Sequence, residues 1–148
     1  MMGLAAAEPR SDLSWTVPYL RIPFVERGRS MRGVDCRGVV FLILERERGA
    51  VIPEPSALYA GTDLKDAAGQ AAFVRAELGR WSPCAVQPFA ALLFEAAGLP
   101  VHVGLALGDG LFIHARKGAG VTIGHLDEAD PGEARWGRRL LGAYRHDG

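Results

Sequence analysis

One of the two cysteines in the sequence, Cys36, stands where a helix is expected to begin. Asp35 before it is a good helix N-cap, and the apolar run from Val39 to Leu44 follows. Free N–H groups and the helix dipole stabilise an anion there, so a thiol has a lowered pKa and is a better nucleophile. The charge of Asp35 opposes this, and a protonated imidazole nearby is needed to outweigh it. Alternatively, Cys36 is a small buried apolar residue.

Two histidines supply candidate imidazoles. In VHVGLAL the larger apolar residues point to one face of a strand, while His102 points to the other among glycine and alanine. We therefore expect His102 to stand in an open space. His114 follows on the next strand, in LFIHA. A thiol, an imidazole base and a third group that orients the base form a nucleophilic site.

The two histidines act together only if they project from the same face of adjacent strands. With a simple two-residue turn, Asp109-Gly110, His114 sits opposite Leu105 and points into the core. With a three-residue loop, or a bulge of the same parity, it sits opposite Gly104 on the histidine face. We predict the second arrangement, because Gly110 tolerates the left-handed conformation that such loops need.

Other chemistry is less favoured by the residues. The four histidines and two cysteines show no short metal-ligand spacing, so we expect neither a metal site nor a cofactor. The glycines of GLALGDG do not match a phosphate-binding loop. Cys84, His125 and His146 are interpreted as bystanders.

The chain is expected to form one domain over residues 1–148. Residues 1–34 are irregular, with 1–14 as an N-terminal extension, because prolines break any long helix. Helices follow over 35–48, ended by Gly49, and over 63–78. Short apolar segments then predict an antiparallel sheet of about five strands, over 89–94, 101–107, 111–115, 120–124 and 139–145. Helices before strands indicate an α+β fold with the helices on one side of the sheet.

Composition excludes several classes of protein. The 148 residues carry 17 basic and 17 acidic side chains, and this zero net charge is not that of a general nucleic-acid binder. The apolar runs are too short to span a membrane, and the N-terminus lacks a secretory signal pattern. We therefore expect neither nucleic acid nor a membrane as a partner.

GVDCRGVV and HVGLALGDGLFIHA resemble the motifs of the NlpC-type cysteine peptidases, a family of cell-wall hydrolases. That family carries Asp-Cys-Ser-Gly-Leu-Val at the start of a helix, His-Val-Gly-Ile-Tyr-x-Gly on a strand and Ile-His-Ala on the next strand. The resemblance covers roughly residues 15 to 145 and implies a papain-like fold. It implies Cys36 as nucleophile with its backbone N–H as oxyanion donor, His102 as general base and acid, and His114 as the orienting group.

The likeness is closest to the phage-tail branch of the family. YLRIPFVERGRSMRGVDCRGVV is similar to the segment before the nucleophile in phage tail-assembly peptidases, which often end in a Tyr-Arg pair, as in GAYRH here. This implies a tail-tip component of a phage, prophage or gene transfer agent, assembled in the host cytoplasm with other tail-tip or baseplate proteins. It also implies cleavage of peptidoglycan stem peptides in the periplasm, at γ-D-glutamyl or diaminopimelyl bonds, through a thioester.

Three departures from the family pattern keep two alternatives open. Arg37 replaces the Ser or Trp after the nucleophile, Phe24 replaces a Tyr before it, and Pro88-Phe89-Ala90 replaces a Gly-Asp before the strand that precedes the histidine. The first alternative is a catalytically weak or inactive structural component of the tail tip. The second is a thiol amidase or acyltransferase on the same fold.

Candidate substrate-binding residues precede and follow the cysteine in the sequence. We expect Arg29, Arg32 and Arg37 to pair with stem-peptide carboxylates, which arginine binds in a bidentate way, the alternative being a solvated loop. Tyr19 is a candidate to supply the hydroxyl that Phe24 lacks.

Overall fold

The structure is a computed structural model that describes residues 12–53, 80–96 and 99–147. The helix predicted over 63–78 and most of the predicted N-terminal extension lie outside the described residues. A 3₁₀ helix covers Ser14–Tyr19, and strands β1 (Arg29–Ser30) and β2 (Gly33–Val34) form a small antiparallel hairpin. The two strands lie in the stretch predicted to be irregular, and they are too short to leave a periodic pattern in the sequence.

Helix α1 (Cys36–Arg48) forms as predicted. Asp35 caps it, because its Oδ1 accepts a 2.7 Å hydrogen bond from the backbone N–H of Gly38. Gly49 ends it in the left-handed conformation, with a φ of 68°. Residues 36–44 are all buried, so the first turns of α1 are surrounded by protein on every side.

The buried carboxylate of Asp35 also ties the preceding loop to the start of α1. Its Oδ2 accepts a 3.0 Å hydrogen bond from the backbone N–H of Arg27 and lies 3.6 Å from the guanidinium of Arg37. The loop packs so closely that a Cβ on Gly38 would sit 1.8 Å from the carbonyl oxygen of Gly28. Asp35 thus holds the segment before the cysteine against the first helical turn.

We expect Asp35→Ala to lower the free energy of unfolding by about 2 kcal/mol or more, because it removes an N-cap and a second charge-assisted hydrogen bond. Asp35→Asn is the matched control, since its amide oxygen still caps α1, and it should lose about half as much. Urea denaturation followed by circular dichroism measures both variants. A loss below about 0.5 kcal/mol in Asp35→Ala, which is typical of a surface change, would contradict this role.

Six antiparallel strands form one sheet in the order β3-β8-β4-β5-β6-β7. They are β3 (Trp81–Cys84), β4 (Ala91–Ala96), β5 (Leu99–Gly108), β6 (Leu111–Arg116), β7 (Gly120–His125) and β8 (Leu140–His146). The α+β class is confirmed, with six strands rather than five. Strand β3 escapes prediction because WSPC does not alternate and contains Pro83, which a sheet tolerates at its edge.

A hydrophobic layer lies on each face of the sheet. Helix α1 packs on one face, against β5 and β6 side chains that include Leu105 and Ile113. The opposite face carries Phe94 and Phe112 under Trp136, which begins the short helix α2 (Trp136–Arg139). Helix α2 therefore adds a second layer to the helix-on-one-side arrangement that the sequence predicts.

A β-bulge sets the register between β5 and β6. The strands pair at Gly108–Leu111 beside the turn, and then, after a register shift, at Ala106–Phe112 and Leu105–Ile113. The predicted register, which puts His114 on the same face as His102, is confirmed. A bulge rather than a three-residue loop produces it. Continuing this register places His114 opposite Gly104, where an added Cβ would lie 3.4 Å from the Cβ of His114. The histidines therefore share one face.

Candidate functional site

Cys36 is the first residue of α1, and it is buried where the helix meets strand β5. The backbone of Val103 makes a hydrogen bond to its thiol. Since Val103 follows His102 in the chain, this contact brings the helix start and the histidine-bearing strand together. The two elements that the sequence singled out meet at one place in the fold.

The imidazoles of His102 and His114 are hydrogen-bonded to each other. His102 Nε2 lies 2.9 Å from His114 Nδ1, and the ring centroids are 5.1 Å apart. When the proton of this bond is on His102 Nε2, His102 Nδ1 keeps a lone pair and acts as a base. His114 then accepts through Nδ1 and carries its own proton on Nε2. This is the relation between a base and its orienting group.

Three aromatic rings contact the histidine pair. Phe94 lies 6.0 Å from His102, and Phe112 lies 4.6 Å from His114, between ring centroids. Trp136 contacts both histidines, at 5.3 Å from His102 and 5.1 Å from His114. Large side chains from β4, β6 and α2 therefore border the space beside His102, which stays partly exposed.

Sequence reasoning missed these aromatic residues for different reasons. Phe112 lies two positions before His114 on β6 and so shares its face, a signal that strand periodicity carries. Phe94 pairs with His102 across β4 and β5, which only the register reveals. Trp136 comes from a short helix between β7 and β8, and no local pattern connects it to the histidines.

Burial keeps both imidazoles neutral over most of the pH range. Desolvation is the main cause that lowers the pKa of His102 to about 3, followed by the charges of His114, Arg139, Arg116 and Arg37. Desolvation likewise lowers the pKa of His114 to about 4; Arg116 and Arg139 add to this effect, and Asp130 opposes it. At neutral pH the pair is thus uncharged, and His102 is available as a base.

The thiol of Cys36 is also neutral at rest. Burial raises its pKa and is the largest influence on it; the charge of Arg37 lowers the pKa and that of Asp35 raises it. Hydrogen bonds from the backbone of Val103 and Arg37 lower it further. The expectation of a lowered pKa at the helix start is therefore wrong, because desolvation outweighs the stabilisation that the helix start offers. A neutral thiol and a neutral imidazole can react by transfer of the thiol proton to the imidazole during attack.

Acid should destabilise the fold through this pair, in which His114 is buried and His102 is partly buried. The unfolded histidines take up protons below about pH 6.5, whereas the folded ones stay neutral down to the pKa values of about 3 and 4. The stability that depends on this pair is thus fully present above about pH 6.5 and is lost as the pH falls from 6.5 towards 3. We expect a loss of at least about 2 kcal/mol between pH 7 and 4.5, at about 1.4 kcal/mol per pKa unit.

Urea denaturation of His102→Asn at both pH values tests this prediction, because removal of one imidazole of the pair should reduce the loss of stability. His125→Asn, which changes a histidine outside the pair, is the control and should keep the wild-type loss. An equal pH dependence in His102→Asn and the wild-type chain would contradict the prediction.

Two of the predicted substrate-binding residues contact the last turns of α1 instead. The Tyr19 ring is 1% exposed, and its hydroxyl donates a 2.6 Å hydrogen bond to Glu47, near the end of α1. Glu47 is about 16 Å along the helix from Cys36, at 1.5 Å per residue. Arg29 donates a 2.6 Å hydrogen bond to Glu45 in the same part of α1. Neither expectation holds, because long-range packing draws both side chains to the far end of the helix.

The other two arginines, Arg37 and Arg32, differ in burial. Arg37 is buried beside Asp35, and its charge acts on both Cys36 and His102. A buried guanidinium influences the site electrostatically rather than as an exposed carboxylate clamp. Arg32 is exposed between β1 and β2, so its predicted pairing with substrate carboxylates stays a prediction.

A polar cavity of about 380 Å³ lies beside His114. Its walls include His114, Trp136, Thr122, Gly124, Arg116 and Asp130, the last two joined by an ion pair. Across the described residues, no group of three or more His, Cys, Asp or Glu side chains is placed to hold a metal ion. Within the same residues, no helix is long and apolar enough to cross a membrane.

Comparison with known proteins adds one family match. The model of the NlpC/P60 family matches residues 21–145 of the chain, a range that includes Cys36, His102 and His114. The comparison with curated protein sequences finds no match.

Solved structures of NlpC/P60 proteins share the fold. A family protein from Bacillus cereus ATCC 10987 is 23% identical, with a TM-score of 0.59 over 93% of this chain and 39% of that chain. A protein similar to lipoprotein from Staphylococcus aureus subsp. aureus Mu50 is 21% identical, with a TM-score of 0.55 over 88% of this chain and 38% of that chain. The chain therefore spans about two fifths of each of these two proteins. The NlpC/p60 domain of the peptidoglycan hydrolase SagA is 23% identical over 74% of this chain and 82% of that chain, with a TM-score of 0.49.

Proposed function

Because the chain belongs to the NlpC/P60 family, we propose that it is a cysteine peptidase that cleaves peptidoglycan stem peptides beside γ-D-glutamyl or diaminopimelyl residues. The observation that carries this proposal is the 2.9 Å contact between His102 Nε2 and His114 Nδ1. His102 lies on β5, the strand whose Val103 backbone contacts Cys36. In the proposed roles, Cys36 is the nucleophile, His102 the base and acid, and His114 the orienting group.

The first half of the reaction forms a thioester. His102 Nδ1 takes the thiol proton as Cys36 Sγ attacks the carbonyl carbon, and the carbonyl oxygen becomes an oxyanion. The backbone N–H of Cys36 donates to this oxyanion, since the first N–H groups of a helix have no partner within it. Collapse of the intermediate breaks the C–N bond, and the imidazolium of His102 protonates the leaving amine.

The second half consumes water. His102, neutral again, takes a proton from a water molecule that attacks the thioester carbonyl. The C–S bond breaks, the acid product leaves, and the proton returns from His102 to the Cys36 sulfur. The exposed Arg32 is proposed to pair with stem-peptide carboxylates during both halves.

Digestion of purified peptidoglycan by the full chain, analysed by mass spectrometry, tests the function. We expect new stem-peptide fragments that are absent when the Cys36→Ala variant is used. Release of no fragment by the wild-type chain would favour the non-catalytic structural alternative. Cleavage only at the bond between glycan and peptide, or formation of a new amide, would favour an amidase or acyltransferase.

We further propose that the chain works at the tail tip of a phage-like particle. The segment before Cys36 and the Tyr144-Arg145 pair support this, through their likeness to phage tail-assembly peptidases. The chain is then assembled with tail-tip or baseplate proteins in the host cytoplasm and acts on the wall in the periplasm. Mass spectrometry of purified particles from the source cells should detect it, and its presence only in the cell envelope would contradict the proposal.

A further inference from the structure

Trp136 lies against both histidines of the candidate site and is fixed from outside by charged residues. It is 7% exposed, and its ring is tilted by 35° to that of His102 and stands at 88° to that of His114. The Arg139 guanidinium lies over the Trp136 ring, 3.8 Å from its centroid, and is itself held by a 2.9 Å hydrogen bond to Glu133.

We infer that Trp136 is a positioning residue, which holds the two imidazoles in their hydrogen-bonded arrangement and separates His102 from the polar cavity behind His114. The inference rests on the proposed function. Trp136 forms part of the cavity wall together with His114, whereas His102 does not line the cavity. The indole is thus the large apolar group between this cavity and the base.

Ring contacts of this kind restrict motions that the hydrogen bond alone leaves open. A single bond between His102 Nε2 and His114 Nδ1 fixes one distance, but each imidazole can still tilt about it, since the χ2 torsion of histidine has broad minima. Contacts at 5.3 and 5.1 Å oppose such tilting. Misplacement of a catalytic group by about 1 Å can cost about 100-fold in rate.

Water exclusion by Trp136 also bears on the titration of the pair. Desolvation is the largest cause that lowers the pKa of His102, and the charges of His114 and Arg116 on β6, Arg139 on α2 and Arg37 on α1 lower it further. His114 is influenced by Arg116, Asp130 and Arg139, again with desolvation as the largest cause. An opening at Trp136 admits water to the site and should raise the pKa of His102 towards 6.5.

The test uses Trp136→Phe and Trp136→Leu in the full chain, with Trp81→Phe and Trp81→Leu as matched controls. Trp81 is buried to the same degree, 8% exposed, but it stacks on Phe41 in the other hydrophobic layer. We expect Trp136→Leu to lower kcat at least about 10-fold with KM changed less than about 2-fold, and Trp136→Phe to retain more activity because it keeps a ring. In both Trp136 variants, the fall of kcat on the acid side of its pH profile should move to higher pH.

Nitrogen-15 NMR of the imidazoles provides a readout that does not need activity. In the wild-type chain each histidine of the pair should show one tautomer and a depressed pKa. In Trp136→Leu we expect mixed tautomers and a higher pKa for His102, whereas the Trp81 variants should change neither. Wild-type tautomers, pKa and kcat in both Trp136 variants would overturn the inference. A wild-type chain without hydrolase activity would refute the proposed function, and the NMR comparison would still decide the role of Trp136.

Discussion

Replacement of Cys36 by alanine or serine is expected to abolish peptidoglycan hydrolysis, with a loss of at least about 10⁴-fold. The reaction needs a sulfur that can form a thioester, and the serine hydroxyl in the same place is a much weaker nucleophile. The fold should survive, since α1 keeps its Asp35 cap and the change removes or replaces one small side-chain atom. Fragment release and the circular dichroism spectrum measure the two properties together.

Cys84→Ser is the matched control, because Cys84 lies on the edge strand β3 and is only half-buried. It should leave hydrolysis nearly unchanged. If Cys84 proves essential and Cys36 dispensable, the assignment of the nucleophile is wrong.

Alkylation by iodoacetamide gives a chemical check on the state of the nucleophile. The sequence alone predicts that Cys36 reacts faster than Cys84 at pH 7, as a thiol of lowered pKa would. The fold reverses this expectation, because Cys36 is buried and its pKa is raised. We therefore expect Cys36 to react more slowly than Cys84 at pH 7 and to accelerate as the pH rises. Faster alkylation of Cys36 at pH 7 would indicate a resting thiolate.

His102→Ala is expected to lower the activity by about 10²- to 10⁴-fold, because His102 transfers a proton in each half of the reaction. His114→Asn should retain more activity, since His114 only fixes the ring and tautomer of its neighbour. kcat/KM measured for each variant with one purified stem peptide gives the comparison. Equal and total loss in both variants would show that His114 does more than orient.

The structure also distinguishes between two amide substitutions of His114. His102 bonds to Nδ1 of His114, which is attached directly to Cγ, and the side-chain oxygen of asparagine occupies the same position along the side chain. The glutamine oxygen is one carbon farther out and corresponds to Nε2. We therefore expect His114→Asn to retain more activity than His114→Gln. The reverse order would indicate that the working contact runs through Nε2.

The bulge in β5 shows how closely the chemistry depends on one turn. Asp109 and Gly110 both have positive φ, at 54° and 81°, as a tight two-residue hairpin turn requires. This turn alone would place His114 on the core face. The shift between Ala106 and Gly108 turns it back to the face of His102. The requirement that both histidines share one face predicts which register β5 and β6 adopt. Local turn preferences do not show whether a bulge or a longer loop produces that register.

The sequence by itself determined the features that depend on neighbours along the chain. Asp35, the apolar run of α1 and Gly49 mark a capped helix, and the alternation in VHVGLAL marks a strand with one histidine face. These signals identified Cys36 and the two histidines, because caps and periodicities act over a few residues.

Only the tertiary structure decided what surrounds these residues. Trp136 on the histidines and Tyr19 at the far end of α1 result from contacts between segments distant in sequence. The raised pKa of the Cys36 thiol likewise follows from its burial against β5. Desolvation and ring packing depend on three-dimensional neighbours, which no local pattern encodes, and they outweigh the local influence of the helix start.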